Sequence, residues 1–133
     1  MIGPFVLAID QGTTNTKAAL VDAEGKMVAQ ASSPLTSTYP RPGWAEQSAS
    51  DIWKSVQSVI GVLAAKVDPQ AIIGIAIANQ RETSVVWEAK SGRPLCPAIL
   101  WQCRRSAAAC AALHALDKNE EVEAKTGLSI NPL

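Results

Sequence analysis

The segment Leu7-Ala8-Ile9-Asp10-Gln11-Gly12-Thr13-Thr14-Asn15-Thr16-Lys17 constrains this chain more than any other. An apolar run ends in a carboxylate, turns on a glycine and leaves through small polar side chains. A second apolar run, Ala18-Ala19-Leu20-Val21, then ends in Asp22. Two short strands joined by such a turn gather backbone N–H groups and hydroxyls around one point, with Asp10 beside it. Clustered N–H dipoles form an anion-binding concavity, and a nearby carboxylate can hold a hydrated Mg²⁺ that bridges phosphate oxygens. The pattern reads as a nucleotide-phosphate site built on a hairpin. It differs from the Gly-x-x-x-x-Gly-Lys-Ser/Thr loop, which the chain lacks. Gly-Thr-Thr is equally a good hairpin turn with no ligand at all. The phosphate reading therefore depends on what lies downstream.

The surrounding order is α/β. Phe5–Asp10 and Lys17–Asp22 form the hairpin, and Ala23-Glu24-Gly25 turns into a third strand at about 26–32. Pro34, Pro40, Pro42 and Gly43 make 33–48 an extended connection. Ser48 caps a helix, with Asp51 three residues on, and Ile52, Val56, Val59, Ile60 and Leu63 recur on one face until Asp68-Pro69. Residues 72–78 are apolar throughout, as a strand covered on both faces would be. This fourth strand is expected to run parallel to the first. Residues 84–88 and 96–101 read as two further strands. The alanine-rich stretch from Arg104 to Leu116 is helical by propensity, and Asn119 caps a last helix ending at Gly127.

Composition removes several classes of function. Twelve basic and twelve acidic residues cancel, which leaves no electrostatic footprint for nucleic acid or an anionic membrane. The first apolar stretch has no basic flank and is interrupted by Asp10, so it is neither a signal peptide nor a membrane span. Cys96, Cys103 and Cys110 are odd in number and spaced by seven, unlike a disulfide framework or a zinc site. Cys103 and Cys110 are expected on one helical face as small packing residues in a cytoplasmic protein.

A second polar patch strengthens the phosphate reading. The fourth strand ends in Asn79-Gln80-Arg81-Glu82-Thr83, and ligands of open α/β sheets sit beyond strand carboxyl ends. Arg81 offers only donors and Glu82 only acceptors, so together they can hold a polyhydroxyl group. Trp101 offers a face on which the C–H side of a small polyol can pack. An isolated Arg-Glu pair would be read as a surface ion pair, and an isolated tryptophan as core. Beside the Gly-Thr-Thr hairpin, the functional reading is preferred.

The motifs Asp10-Gln11-Gly12-Thr13-Thr14, Pro42-Gly43-Trp44-Ala45-Glu46, Asn79-Gln80-Arg81-Glu82-Thr83, Val86-Trp87 and Trp101-Gln102-Cys103-Arg104-Arg105 occur in one order along the chain. In that order the chain resembles the FGGY family of carbohydrate kinases, and within it the glycerol kinases, from Leu7 to Pro132. The resemblance implies a ribonuclease H-like fold of the actin and hexokinase type, here an incomplete N-terminal domain without its C-terminal partner domain. It implies ATP as cofactor with Thr13, Thr14, Asn15 and Lys17 near its phosphates, Mg²⁺ near Asp10, and glycerol lined by Arg81, Glu82 and Trp101. The catalytic aspartate is expected beyond Leu133, so the 133-residue chain alone is expected to be inactive, and self-association through surface left uncovered is plausible. Two departures are visible. Lys17 stands where glycerol kinases usually have arginine, which keeps charge without the bidentate fork. Gln47-Ser48-Ala49 replaces the usual His-Asp-Pro, which keeps another polyol or sugar open as substrate. A non-catalytic remnant or binding module is the alternative from another class.

Overall fold

The computed structural model describes residues 2–132. Strands β1 (Phe5–Gln11), β2 (Asn15–Val21) and β3 (Met27–Pro34) form an antiparallel meander, and β5 (Ile72–Asn79) joins β1 in parallel. The sheet order is β3-β2-β1-β5. A two-residue strand β4 (Glu46–Gln47) pairs antiparallel with β6 (Ala98–Ile99) in a small second sheet. Helices α1 (Ala49–Ala64), α2 (Ala107–Ala115) and α3 (Asn119–Thr126), with a 3-10 turn at Pro69–Ala71, are the helical elements among the described residues.

The period-two pattern of the hairpin sets its orientation. Phe5, Leu7 and Ile9 on β1 and Thr16, Ala18 and Leu20 on β2 are buried on one face. Asp10 and Lys17, directly paired across the hairpin, point to the other. Helix α1 lies over β2 and β3 and closes the core with Val59 and Leu63, joined by Val67 beyond its end. Its buried stripe includes Ser55, whose hydroxyl sits 2.6 Å from the fully buried Thr16 hydroxyl and also reaches the Ile52 carbonyl. That bond pins the helix against the strand that leaves the Gly-Thr-Thr turn. Ser48 caps α1 by accepting from the Asp51 amide at 3.1 Å.

Several expectations are corrected. The third strand continues to Pro34, where a missing N–H is tolerated because β3 is an edge strand. The 33–48 connection is not wholly without sheet structure, because Thr38 bridges Glu46 and β4 follows. Neither face of β5 is well covered. Ile73, Ile75 and Ile77 are 69%, 62% and 71% exposed, because α1 sits over β2 and β3 and α2 and α3 contribute no buried residue. Residues 84–88 form single bridges, Ser84 to Ile99 and Trp87 to Pro94, rather than a strand, and 96–101 keeps only β6. The alanine-rich helix starts three residues late, at Ala107. Cys103 precedes it and packs with Ala45 and Leu100 in a separate small core, so it shares no helical face with Cys110. Asn119 is the first helical residue rather than a cap, and Lys118 occupies the cap position without a side-chain bond. Gly127 ends α3 with φ +72°, as its sequence position predicts. No helix among the described residues is long and apolar enough to cross a membrane.

Candidate functional site

The parallel pairing of β1 with β5 brings the two sequence patches together. Gln11 at the end of β1 lies beside Asn79 at the end of β5, and the Gln80 amide donates to the Gln11 carbonyl at 2.8 Å. The Gly12-Thr13-Thr14 turn and the Gln80–Thr83 segment therefore leave the sheet side by side at its carboxyl edge. Between them lies a cleft of about 420 Å³, lined by Asp10, Gly12, Thr13, Asn79, Gln80, Arg81, Glu82 and Trp101.

The turn closes on itself, with the Gly12 amide donating to the Asn15 carbonyl at 3.0 Å. Among the described residues the amides of Thr13 and Thr14 make no hydrogen bond, so both remain available to an anion. The Thr13 hydroxyl is already engaged: it accepts from the Trp101 indole N–H at 3.0 Å and donates to Gln80 Oε1 at 3.2 Å. Thr14 and Asn15 sit on the outer side of the turn, joined by an Asn15 Nδ2 donation to Thr14 Oγ1 at 3.3 Å. Asp10 is exposed at the cleft edge.

Arg81 and Glu82 stand exposed at the opposite wall, and among the described residues neither takes part in an ion pair. The surface ion-pair alternative thus finds no support. Glu82 has φ +68°, a left-handed conformation that a side-chain-bearing residue adopts at a cost. Trp101 is 41% exposed and presents its ring to the cleft. Lys17 lies elsewhere. It shares with Asp10 a separate groove of about 750 Å³ on the open face of the sheet, among Ala8, Ala19, Ala76 and Ala78. Asp10 is the residue common to both spaces.

Behind Trp101, its own segment is tied to the Gly43–Glu46 segment. Arg105 donates to Glu46 Oε1 at 2.7 Å and to Cys103 Sγ at 3.0 Å, and lies over the Trp44 ring at 4.0 Å. The Arg104 amide donates to the Gly43 carbonyl at 2.7 Å, where Gly43 turns with φ +76°. Burial raises the Cys103 thiol, but the Ala45 backbone hydrogen bond and the Arg105 guanidinium outweigh it and hold the thiol below its ordinary value.

Two functional-looking residues escaped the sequence reading as individuals. Gln80 sits at the centre of the turn's side-chain hydrogen bonds, and Gln47, 1% exposed, donates to the Thr13 carbonyl and to Ser37 Oγ. The one sequence signal was the place of Gln80 at the end of an apolar strand; Gln47, between Glu46 and Ser48, carried none.

A hairpin turn with free amides thus stands beside an Arg-Glu-Trp wall at a small sheet-edge cleft. Residues 5–133 match the model of the FGGY family of carbohydrate kinases, N-terminal domain, and the chain belongs to that family. It is 45% identical over 133 residues to a glycerol kinase of Carboxydothermus hydrogenoformans, covering 98% of this chain and 27% of that protein. Against an apulose kinase of Pectobacterium atrosepticum the identity is 40% over 133 residues, covering 100% of this chain and 27% of that protein. The crystal structure of gluconate kinase from Lactobacillus acidophilus matches with a TM-score of 0.88 at 26% identity, over 96% of this chain and 26% of that one. The chain thus spans about a quarter of the length of these proteins. The expected α/β class, a ribonuclease H-like mixed sheet with flanking helices, is the fold observed.

Proposed function

We propose that the whole protein to which this chain belongs transfers a phosphoryl group from ATP to a small polyol, with glycerol as the favoured acceptor, in the cytoplasm. The observation behind this reading is the convergence of Gly12 and Thr13, whose amide is free, with Arg81, Glu82 and Trp101 around one cleft, with the free Thr14 amide next along the turn. The turn amides, with Thr14 and Asn15 beside them, receive phosphate oxygens, whose charge they neutralise by fixed dipoles. Arg81 donates to one acceptor hydroxyl oxygen, Glu82 accepts a hydroxyl proton, and the indole covers the carbon face. Lys17, in its neighbouring groove, adds positive charge on the nucleotide side rather than in the polyol cleft.

Asp10 fits a Mg²⁺ of the kind that keeps most of its waters and takes one or two carboxylates plus phosphate oxygens. It is exposed at the cleft edge, and no cluster of three acidic, histidine or cysteine ligands occurs among the described residues. A single carboxylate suits phosphate-bridged magnesium better than a protein-caged metal. Such an ion supplies charge neutralisation between phosphate oxygens.

Phosphoryl transfer also needs a base and charge stabilisation from the far side of the cleft. These are assigned to the rest of the whole protein, and residues 1–133 are expected to form one wall of a two-sided site. The glycerol kinase relative supports glycerol, whereas the apulose kinase relative, at similar identity, keeps a branched sugar as the alternative. A panel of glycerol, apulose, xylulose and gluconate, assayed for ADP release with Mg·ATP, separates them. Glycerol should give the highest kcat/KM, and activity confined to one of the sugars would move the chain to another branch of the family.

A further inference from the structure

Gln80 uses every hydrogen-bonding position of its amide. Its Oε1 accepts from the hydroxyls of Thr13 at 3.2 Å and Thr83 at 3.0 Å, and its Nε2 donates to Gln11 Oε1 and Gln47 Oε1, both at 3.2 Å. The orientation of this amide is dictated by its neighbours. Gln11 Nε2 donates to the Gly12 carbonyl, and Gln47 Nε2 donates to the Thr13 carbonyl. Both flanking glutamines are therefore committed as donors to the turn's own carbonyls and can offer Gln80 only an acceptor. The circuit closes through the other wall of the cleft. The Thr83 hydroxyl also accepts from the Trp101 amide at 3.3 Å, and the Trp101 indole donates to Thr13.

Resting on the kinase reading above, we infer that Gln80 is a positioning residue that fixes the phosphate turn and the polyol wall relative to one another. The turn is held from beneath by three side-chain amides, and Trp101 is held to the turn through its ring and to Gln80 through Thr83. Neither substrate needs to touch Gln80 for its removal to be felt by both. A misplacement of about 1 Å between reacting groups is enough to cost a large factor in rate. The same circuit commits the Thr13 side chain to structure, so that Thr13 meets phosphate through its amide, and Thr14 and Asn15, whose side chains bond each other outside the circuit, supply the side-chain contacts.

The test is Gln80→Met in the whole protein, which keeps side-chain length and deletes all four bonds. The KM values for polyol and nucleotide should both rise about tenfold, with a smaller fall in kcat. In protein labelled with 5-fluorotryptophan, the ligand-free Trp101 resonance, assigned with Trp101→Phe, should shift or broaden. A change confined to kcat in proportion to the folded fraction, or a Trp101 resonance left in place, overturns the proposal. If Gln80→Met does not fold, Thr83→Val cuts the branch to Trp101 alone. It should raise the polyol KM several-fold and spare the nucleotide KM, and no change in either overturns the proposal. Failure of the parent protein to phosphorylate any polyol or sugar would instead sink the kinase reading. The Trp101 resonance would still decide the role of Gln80.

Discussion

Replacing Glu82 with Gln in the whole protein is expected to lower kcat/KM for the polyol roughly ten- to two-hundredfold. The loss corresponds to a hydrogen bond between a hydroxyl and a charged acceptor, about 1.5–3 kcal/mol. Gln has the volume of Glu but turns one acceptor oxygen into a donor, so one hydroxyl proton of the polyol meets an N–H. Folding stability is expected to change little, since Glu82 is exposed and free of ion pairs among the described residues. The substitution also retains a Cβ at φ +68°, so backbone strain is the same in both proteins. Glu82→Gly separates the two contributions. It relieves the left-handed conformation, at a gain of up to about 1 kcal/mol, while removing the carboxylate altogether. A more stable protein with weaker polyol use would mark Glu82 as kept for function. Unchanged kinetics in Glu82→Gln would take Glu82 out of the pocket.

The second large effect is expected at Arg105. Its side chain is 23% exposed and that of its partner Glu46 15%, so the pair is mostly shielded from water. Arg105→Met keeps an apolar side chain beside the Trp44 ring but removes the stacked charge and leaves the Glu46 carboxylate and the Cys103 sulfur without their donor. Breaking one side of a shielded pair costs about 2–4 kcal/mol, less than a fully buried pair because some solvent still reaches both groups. Removing the stranded charge as well, in Arg105→Met with Glu46→Gln, should recover most of that loss. Urea unfolding of the parent, the two single variants and the double variant gives the cycle. A single-variant cost below about 0.5 kcal/mol would mean that the cluster does not hold Trp101's segment in place.

The hairpin was legible because two apolar runs flank a glycine turn, with Asp10 and Lys17 at their facing ends. Phe5, Leu7 and Ile9 against Thr16, Ala18 and Leu20 allow one register only, and a slip by one residue would bury Asp10 and Lys17. The helix was legible from its cap and stripe, although Ser55 is buried where Val56 was expected, because the Thr16 hydroxyl is there to meet it. Burial of β5 was misread for a physical reason. An apolar run says that a strand suits a covered position, but not which segment covers it, and nothing within residues 2–132 covers Ile73, Ile75 and Ile77. Cys103 was misplaced because a spacing of seven suggests a helix only when both residues lie inside one, and the turn after Leu100 intervenes.

At the site, Asp10, Thr13, Arg81, Glu82 and Trp101 were found together because strand ends in a parallel pair bring their following loops side by side. Lys17 joined this group through the family resemblance, and the pleat directs it to the open face. Gln80 and Gln47 went unmarked because an amide's importance lies in how many of its bonding positions are used. That number is set largely by tertiary contacts: three of the four bonds of Gln80 and the Gln47 bond to Thr13 come from residues 33 to 69 positions away.

On the proposed function, the cleft between the Gly-Thr-Thr turn and Trp101 holds the phosphoryl acceptor. A crystal structure of the whole protein with glycerol and a non-hydrolysable ATP analogue tests it directly. Glycerol hydroxyls are expected within hydrogen-bonding distance of Arg81 and Glu82, its carbon face on Trp101, and the analogue's phosphates at the Thr13 and Thr14 amides. Glycerol bound away from Glu82 and Trp101, or phosphates resting elsewhere than on this turn, would contradict it.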